Sequence, residues 1–292
     1  MSRQDVEFRT LDGITLRGWL YPAVQRGPAL IMTQGFNTPK EMLLPDVAVW
    51  FQQQGLTALV YDNRTIGSSD GEPRNEVDPR KLVEDYHDAL TFLSSNPLVD
   101  PERIVYWGNS FSAMVVLVAA ALDKRVAAVV SVAPITTYTL EPPEKGRAAM
   151  TLAMRDRVSR LAGNPPVYIP FVDENGANPA GWGDNYSMGD FHRFLSNVVF
   201  TNQTTIQTYY YLSTWQPYGS MSLVSPTPAM VVTPANDNIS LPENQRKLFD
   251  MFEEPKSFLL VPGKGHMDCL AGEEMGGVLQ KQLDFLNGLW SA

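Results

Sequence analysis

Short apolar runs alternate with segments of helical periodicity along most of the chain, and no other feature constrains the fold as much. Residues 6–10 and 14–21 flank Asp12-Gly13, a strong hairpin signal. Further strands are predicted at 29–33, 56–61, 104–107, 127–133, 230–232 and 258–261, most of them apolar enough to be buried on both faces. Helices are predicted between them at 45–54, 78–96, 111–122, 242–252 and 273–290. Strands joined by helices imply right-handed crossovers. The expected class is therefore α/β: a mostly parallel eight-stranded sheet with helices on both faces.

The alternation stops between residues 135 and 225, where aromatic side chains crowd in, among them Phe171, Trp182, Tyr186, Phe191, Phe194, Tyr209 and Trp215. So long a stretch is not a plain loop inside a compact domain. The expectation is an inserted cap at 135–225, folded over a core made of 1–134 and 226–292. Its aromatics either line a pocket for a bulky apolar ligand or form the cap's own small core, and the pattern alone leaves both open.

Composition excludes more than it suggests. The chain carries 23 basic and 32 acidic residues, a net charge of −9, which repels a phosphate backbone and opposes docking on anionic lipid. Cys269 is the only cysteine, so an intramolecular disulfide and a thiolate-pair zinc site are both excluded. The first residues lack the apolar stretch of a signal peptide. The apolar run at 113–122 falls short of the roughly 20 residues a membrane helix requires. The expected setting is cytoplasmic, with no membrane span, no nucleic-acid partner, no cofactor and no metal.

The sharpest chemical signal is Gly108-Asn109-Ser110-Phe111-Ser112, placed between a predicted strand and a predicted buried helix. A serine on such a strand-to-helix turn exposes its hydroxyl above the sheet, where the helix N-terminus favours a developing negative charge. The usual elbow ends in glycine; Ser112 in its place predicts a helix set slightly farther from the strand. A serine hydroxyl requires a base. Of the three histidines, His87 falls within a charged helix and His192 within the insert, lining a pocket or holding the cap together. His266 instead follows the last strand in Gly263-Lys264-Gly265-His266, on a loop able to swing over the sheet edge. Asp237, after the strand at 230–232, is the candidate to orient that base; its alternative is capping the next helix. Asp268 is too close in sequence to His266 for that task. The order Ser110, Asp237, His266 matches nucleophile, acid and histidine in folds with this elbow. Backbone N–H groups of Phe36 and Phe111 are the candidate oxyanion donors. The segment Asp62-Asn63-Arg64-Thr65-Ile66-Gly67-Ser68-Ser69-Asp70-Gly71 is read as a turn that buttresses the elbow.

Together these residues resemble the α/β-hydrolase superfamily, over residues 6–134 and 228–290. More narrowly, the chain is similar to the acyl hydrolases and polyketide transferases found beside fungal polyketide synthases. That resemblance implies a Ser110 acyl-enzyme formed from a bulky, polyketide-like ester or thioester, and then resolved by water or an alcohol. It also implies a small-molecule acyl substrate delivered by a polyketide synthase; a homodimer is among the assemblies the sequence allows. An aspartate nucleophile would have to stand where Ser110 stands, so dehalogenase and epoxide-hydrolase chemistry is disfavoured. Two alternatives share the triad: a C–C hydrolase of β-diketones, and a ligand-binding protein of this fold with little turnover.

Overall fold

The computed structural model describes residues 2–183 and 200–291. Asp12-Gly13 closes the expected hairpin, Gly13 adopting φ 89°, between antiparallel β1 (Gln4–Arg9) and β2 (Thr15–Tyr21). The remaining strands of the large sheet are β3 (Gly27–Thr33), β4 (Thr57–Tyr61), β5 (Val99–Asn109), β6 (Ala128–Val132), β9 (Ala229–Pro234) and β10 (Lys256–Val261). Their spatial order is β1-β2-β4-β3-β5-β6-β9-β10, eight strands as expected, and every pair from β4 to β10 is parallel. All the carboxyl ends of those parallel strands therefore meet on one edge, where ligands of open α/β sheets bind.

Side-chain alternation along the strands builds two cores. Ile31, Tyr106 and Val129 point toward α2 (Pro79–Ser94) and α3 (Phe111–Leu122), together with Tyr86, Leu90 and Met114. Leu30, Met32 and Trp107 point the other way, toward α1 (Leu44–Gln53) and the C-terminal helix α7 (Met275–Trp290), together with Phe51 and Leu279. Leu248 and Phe249 of α6 (Pro242–Asp250) join the first core. Across the second core, Trp107 Nε1 donates to Gln282 Oε1 at 2.9 Å.

Three elements depart from expectation. β5 begins at Val99 rather than 104, because pairing of Gly27 with Val99 through a register shift draws polar residues into the strand. Between β6 and β9 the described residues hold α4 (Pro143–Leu161), α5 (Ile206–Thr214), a 3-10 helix (Pro217–Leu223) and a two-stranded pair, β7 (Tyr168–Ile169) with β8 (Thr204–Thr205). In α4 the buried face is made of Gly146, Ala149, Ala153 and Asp156, whereas Met154, Val158 and Leu161 are exposed. Apolar side chains lie on both of its faces, Met150 and Leu152 packing against the core, so periodicity does not flag it. Tyr186, Phe191, His192 and Phe194 lie outside the described residues. Among the described residues no helix is long and apolar enough to cross a membrane.

Candidate active site

β5 runs directly into α3, and the single residue between them is Ser110, at φ 58° and ψ −117°. A left-handed backbone at a non-glycine residue is strained and persists only where its surroundings enforce it. Here the Ser110 N–H donates to Val132 O at 2.8 Å, and Ser110 O accepts from Ala113 at 3.1 Å and Ile135 at 3.2 Å. Two glycines make the room. A Cβ at Gly35 would stand 2.9 Å from Ser110 Cβ, and one at Gly108 would stand 2.4 Å from Ser112 O and 2.6 Å from its carbonyl carbon. Strand and helix thus remain in tight contact, and Ser112 does not set the helix back as expected. Its hydroxyl is fully buried and donates to Gln34 O at 2.6 Å while accepting from Thr33 Oγ1 at 2.8 Å. Gly108→Ala is expected to destabilise the fold by about 3 kcal/mol, because the obstructing atoms are backbone and cannot swing aside. Urea midpoints at constant m-value measure this; a loss below about 1 kcal/mol would mean that the turn yields freely.

Asp237 and His266 are carried by the loops after β9 and β10, which Asn236 N–H to Lys264 O (2.8 Å) and Ala235 N–H to Val261 O (2.9 Å) hold together. His266 Nδ1 is 2.8 Å from Asp237 Oδ2, and His266 Nε2 is 2.8 Å from Ser110 Oγ. A carboxylate only accepts, so Nδ1 carries the ring proton and Nε2 is left to accept from the serine hydroxyl. Asp237 also accepts from the Ile239 and Ser240 N–H groups through Oδ1, at 3.0 and 2.8 Å, and from Gln245 Nε2 through Oδ2 at 2.9 Å. Its contacts with the turn before α6 and with His266 therefore coexist rather than compete. Asp268 Oδ1 accepts from Gly265 N–H at 2.6 Å and shapes the histidine loop instead. His87 sits half-buried on α2, its backbone oxygen accepting from Arg125. Cys269 is buried, and that burial pushes its thiol up to about 12, so it stays protonated and unreactive near neutral pH.

Phe36 follows β3 and Phe111 opens α3, and among the described residues neither backbone N–H has an acceptor. Gln34, which sequence reasoning missed, joins the two segments. Its Oε1 accepts from Gly35 N–H at 2.8 Å and from Asn109 Nδ2 at 2.7 Å, while its Nε2 donates to Met42 O at 2.6 Å. The turn after β4 supports this loop and not the elbow directly. Asp62 accepts from Lys40 N at 2.8 Å and Lys40 Nζ at 2.7 Å, and Asn63 Nδ2 donates to Gln34 O at 3.3 Å. Arg64 turns away, bridging Asp12 of the hairpin to Asp85 of α2. Asp12 is thereby held well below the usual carboxylate range, chiefly by its hydrogen bond to Arg64.

The cavity over Ser110 is lined mainly by apolar side chains, including Phe36, Met42, Leu43, Ile135, Phe171 and Trp182. Phe36 packs on Phe171 at 4.9 Å and on Trp182 at 4.7 Å between ring centroids. Asn178 fixes that pair of aromatics, donating to Phe171 O at 2.7 Å and accepting from Trp182 N–H at 3.1 Å. Phe171 and Trp182 also belong to the same buried apolar cluster as Tyr209 and Trp215. Among the described residues, no group of three or more His, Cys, Asp or Glu side chains is placed to hold a metal ion.

A model of the Alpha/beta hydrolase family matches residues 35–280. Polyketide transferase af380 from Aspergillus fumigatus is 62% identical over 287 residues, covering 98% of each chain. A thiohydrolase from Eupenicillium brefeldianum is 46% identical over 291 residues, covering 98% of this chain and 94% of that one. The crystal structure of the alpha/beta hydrolase GrgF from Penicillium sp. sh18 superposes with a TM-score of 0.93 at 46% identity, covering 100% of both chains.

Proposed function

The chain belongs to the alpha/beta hydrolase family, and on that footing we propose that Ser110 is the nucleophile of an acyl hydrolase or acyltransferase acting on a bulky, apolar, polyketide-like ester or thioester. One observation carries this reading: a strained serine whose hydroxyl meets His266 Nε2, and an Asp237 that meets the opposite ring nitrogen, both at 2.8 Å. Ser110 Oγ attacks the acyl carbonyl as His266 Nε2 takes its proton, and Asp237 stabilises the imidazolium. The carbonyl oxygen, now negative, receives the free N–H groups of Phe36 and Phe111, each worth about 3 kcal/mol in the transition state. Collapse expels the thiol or alcohol, protonated by His266, and leaves the acyl group on Ser110. Water or an acceptor hydroxyl then gives its proton to His266 and takes the acyl group.

Residues 135–225 serve as a cap in this reading, since Phe171 and Trp182 come from that stretch and face Ser110 across the cavity. The free space there is about 40 Å³, so in this reading a bulky acyl chain is accommodated by movement of those aromatic side chains. A bulky apolar acyl group replaces the contacts that they give up.

Incubation with a fluorophosphonate, followed by intact-mass measurement, tests the assignment. A single adduct on the wild-type chain, absent from Ser110→Ala, is the expected result, and the protonated Cys269 offers no competing nucleophile. An unlabelled wild-type chain would overturn it. Product analysis of an acyl thioester, with and without an added alcohol, then separates transfer from hydrolysis.

A further inference from the structure

Among the described residues, helix α4 leaves one face exposed. Arg147, Thr151, Met154, Val158 and Leu161 follow one another at helical spacing and are all exposed, with Val158 at 69% and Leu161 at 85%. Arg155 and Arg157 flank this stripe and are exposed as well. The opposite face is fastened to α5: Gln207 Nε2 donates to Ala153 O at 2.7 Å and to Asp156 Oδ2 at 2.8 Å. Several arginines elsewhere, such as Arg17, Arg64 and Arg125, are paired with carboxylates, whereas Arg9 and Arg74 donate to backbone oxygens. Among the described residues Arg147, Arg155 and Arg157 form no ion pair, although acidic residues outnumber basic ones in the whole chain. Like charges crowded on one helix repel, so folding alone does not favour this arrangement.

The face continues into a groove of about 790 Å³, which Arg147 and Thr151 border on one side and Tyr138, Trp215 and Tyr218 on the other. Thr136 and Tyr138 line that groove, while the adjoining Ile135 lines the cavity over Ser110. One segment of backbone thus separates the groove from the serine.

We propose that the exposed face of α4 is a docking surface for an acidic carrier protein that presents the acyl thioester, the arginines meeting its carboxylates and Met154, Val158 and Leu161 its apolar patches. On a chain of net charge −9, a local cluster of unpaired arginines favours one orientation of an acidic partner. A flat anionic membrane fits less well, because it would bring the chain's negative surfaces against a negative plane. This proposal rests on the acyl-transfer reading above, which a small thioester tests separately.

The experiment compares wild type with R147E/R155E/R157E, whose fold is checked by thermal unfolding. Two substrates are used: an acidic acyl carrier protein bearing an octanoyl thioester, and free octanoyl-pantetheine. The triple variant is expected to lose about tenfold or more in kcat/KM on the carrier, mostly through KM, and to stay within about twofold on the pantetheine thioester. The wild-type preference for the carrier should shrink as NaCl rises from about 50 to about 500 mM. Equal activity of both proteins on the carrier, or equal losses on both substrates, would overturn the proposal. If wild type turns over neither thioester, the acyl-transfer reading falls and carrier binding, followed by fluorescence anisotropy, decides the docking. Salt-sensitive binding weakened about tenfold by charge reversal supports it; absent or unchanged binding, or binding to phosphatidylserine vesicles in its place, refutes it.

Discussion

Ser110→Ala is expected to lower kcat for thioester turnover by about 10⁶-fold, since removing the nucleophile of such a triad leaves only binding and oxyanion stabilisation. The substitution deletes one oxygen and leaves the φ 58° backbone as strained as before, so stability should hardly change. Ser110→Gly makes a sharper comparison. Glycine adopts that conformation without a steric cost, so this variant should be equally inactive yet more stable by about 1 kcal/mol. For a chain of this size that is a rise of about 2 °C in Tm. Paired activity assays and thermal melts would show loss of chemistry together with gain of stability, the signature of strain held at a functional position. An active alanine variant would remove Ser110 from the mechanism, and a destabilised glycine variant would remove strain from the account of the elbow.

Asp237→Asn should cost about 10⁴-fold in kcat with the fold intact. The reasoning follows the donors. Asp237 Oδ1 is fixed by two backbone N–H groups, so the asparagine oxygen keeps that position and its NH₂ group turns toward His266 and Gln245. An NH₂ facing His266 Nδ1 selects the ring form protonated on Nε2, which presents a proton to Ser110 where a lone pair is required. Gln245 Nε2 also loses one acceptor but keeps Ser240 O at 2.6 Å, which limits the stability cost to about 1 kcal/mol. The rate of fluorophosphonate labelling should fall in step with kcat. Activity within about tenfold of wild type would mean that Asp237 does not set the histidine's proton.

The large sheet was legible because most of its strands contain a compact apolar run and the connections carry turn or helix signals. Ser110, Asp237 and His266 stood out for the same reason: each follows a strand that the pattern marks clearly. Gln34 and Gln245 were not legible. A glutamine after a strand, or in the first turns of an amphipathic helix, reads as solvated surface, and only the folded contacts reveal that both are buried. Ser112 was misread because its departure from glycine suggested looser packing, whereas the hydroxyl found a carbonyl and the close approach belongs to its backbone. α4 escaped because small and polar residues form its buried face, and β7 and β8, of two residues each, are too short for any periodicity. Tertiary contacts decide such segments, and one sequence does not display them.

Gln34 also bears on when the site is assembled. Its carboxamide spans the two chain segments that carry the Phe36 and Phe111 N–H groups, bonding to Gly35 on one and Asn109 on the other. The separation of those donors is therefore set by an internal strut and not by whatever occupies the aromatic cavity. In the proposed mechanism the solvent reorganisation that accompanies charge development has been met during folding, before any acyl group arrives. Recognition of the acyl chain and stabilisation of the oxyanion then become separable properties. The first can be altered by changing Phe171 or Trp182, while the second stays built into the junction of β3 and β5.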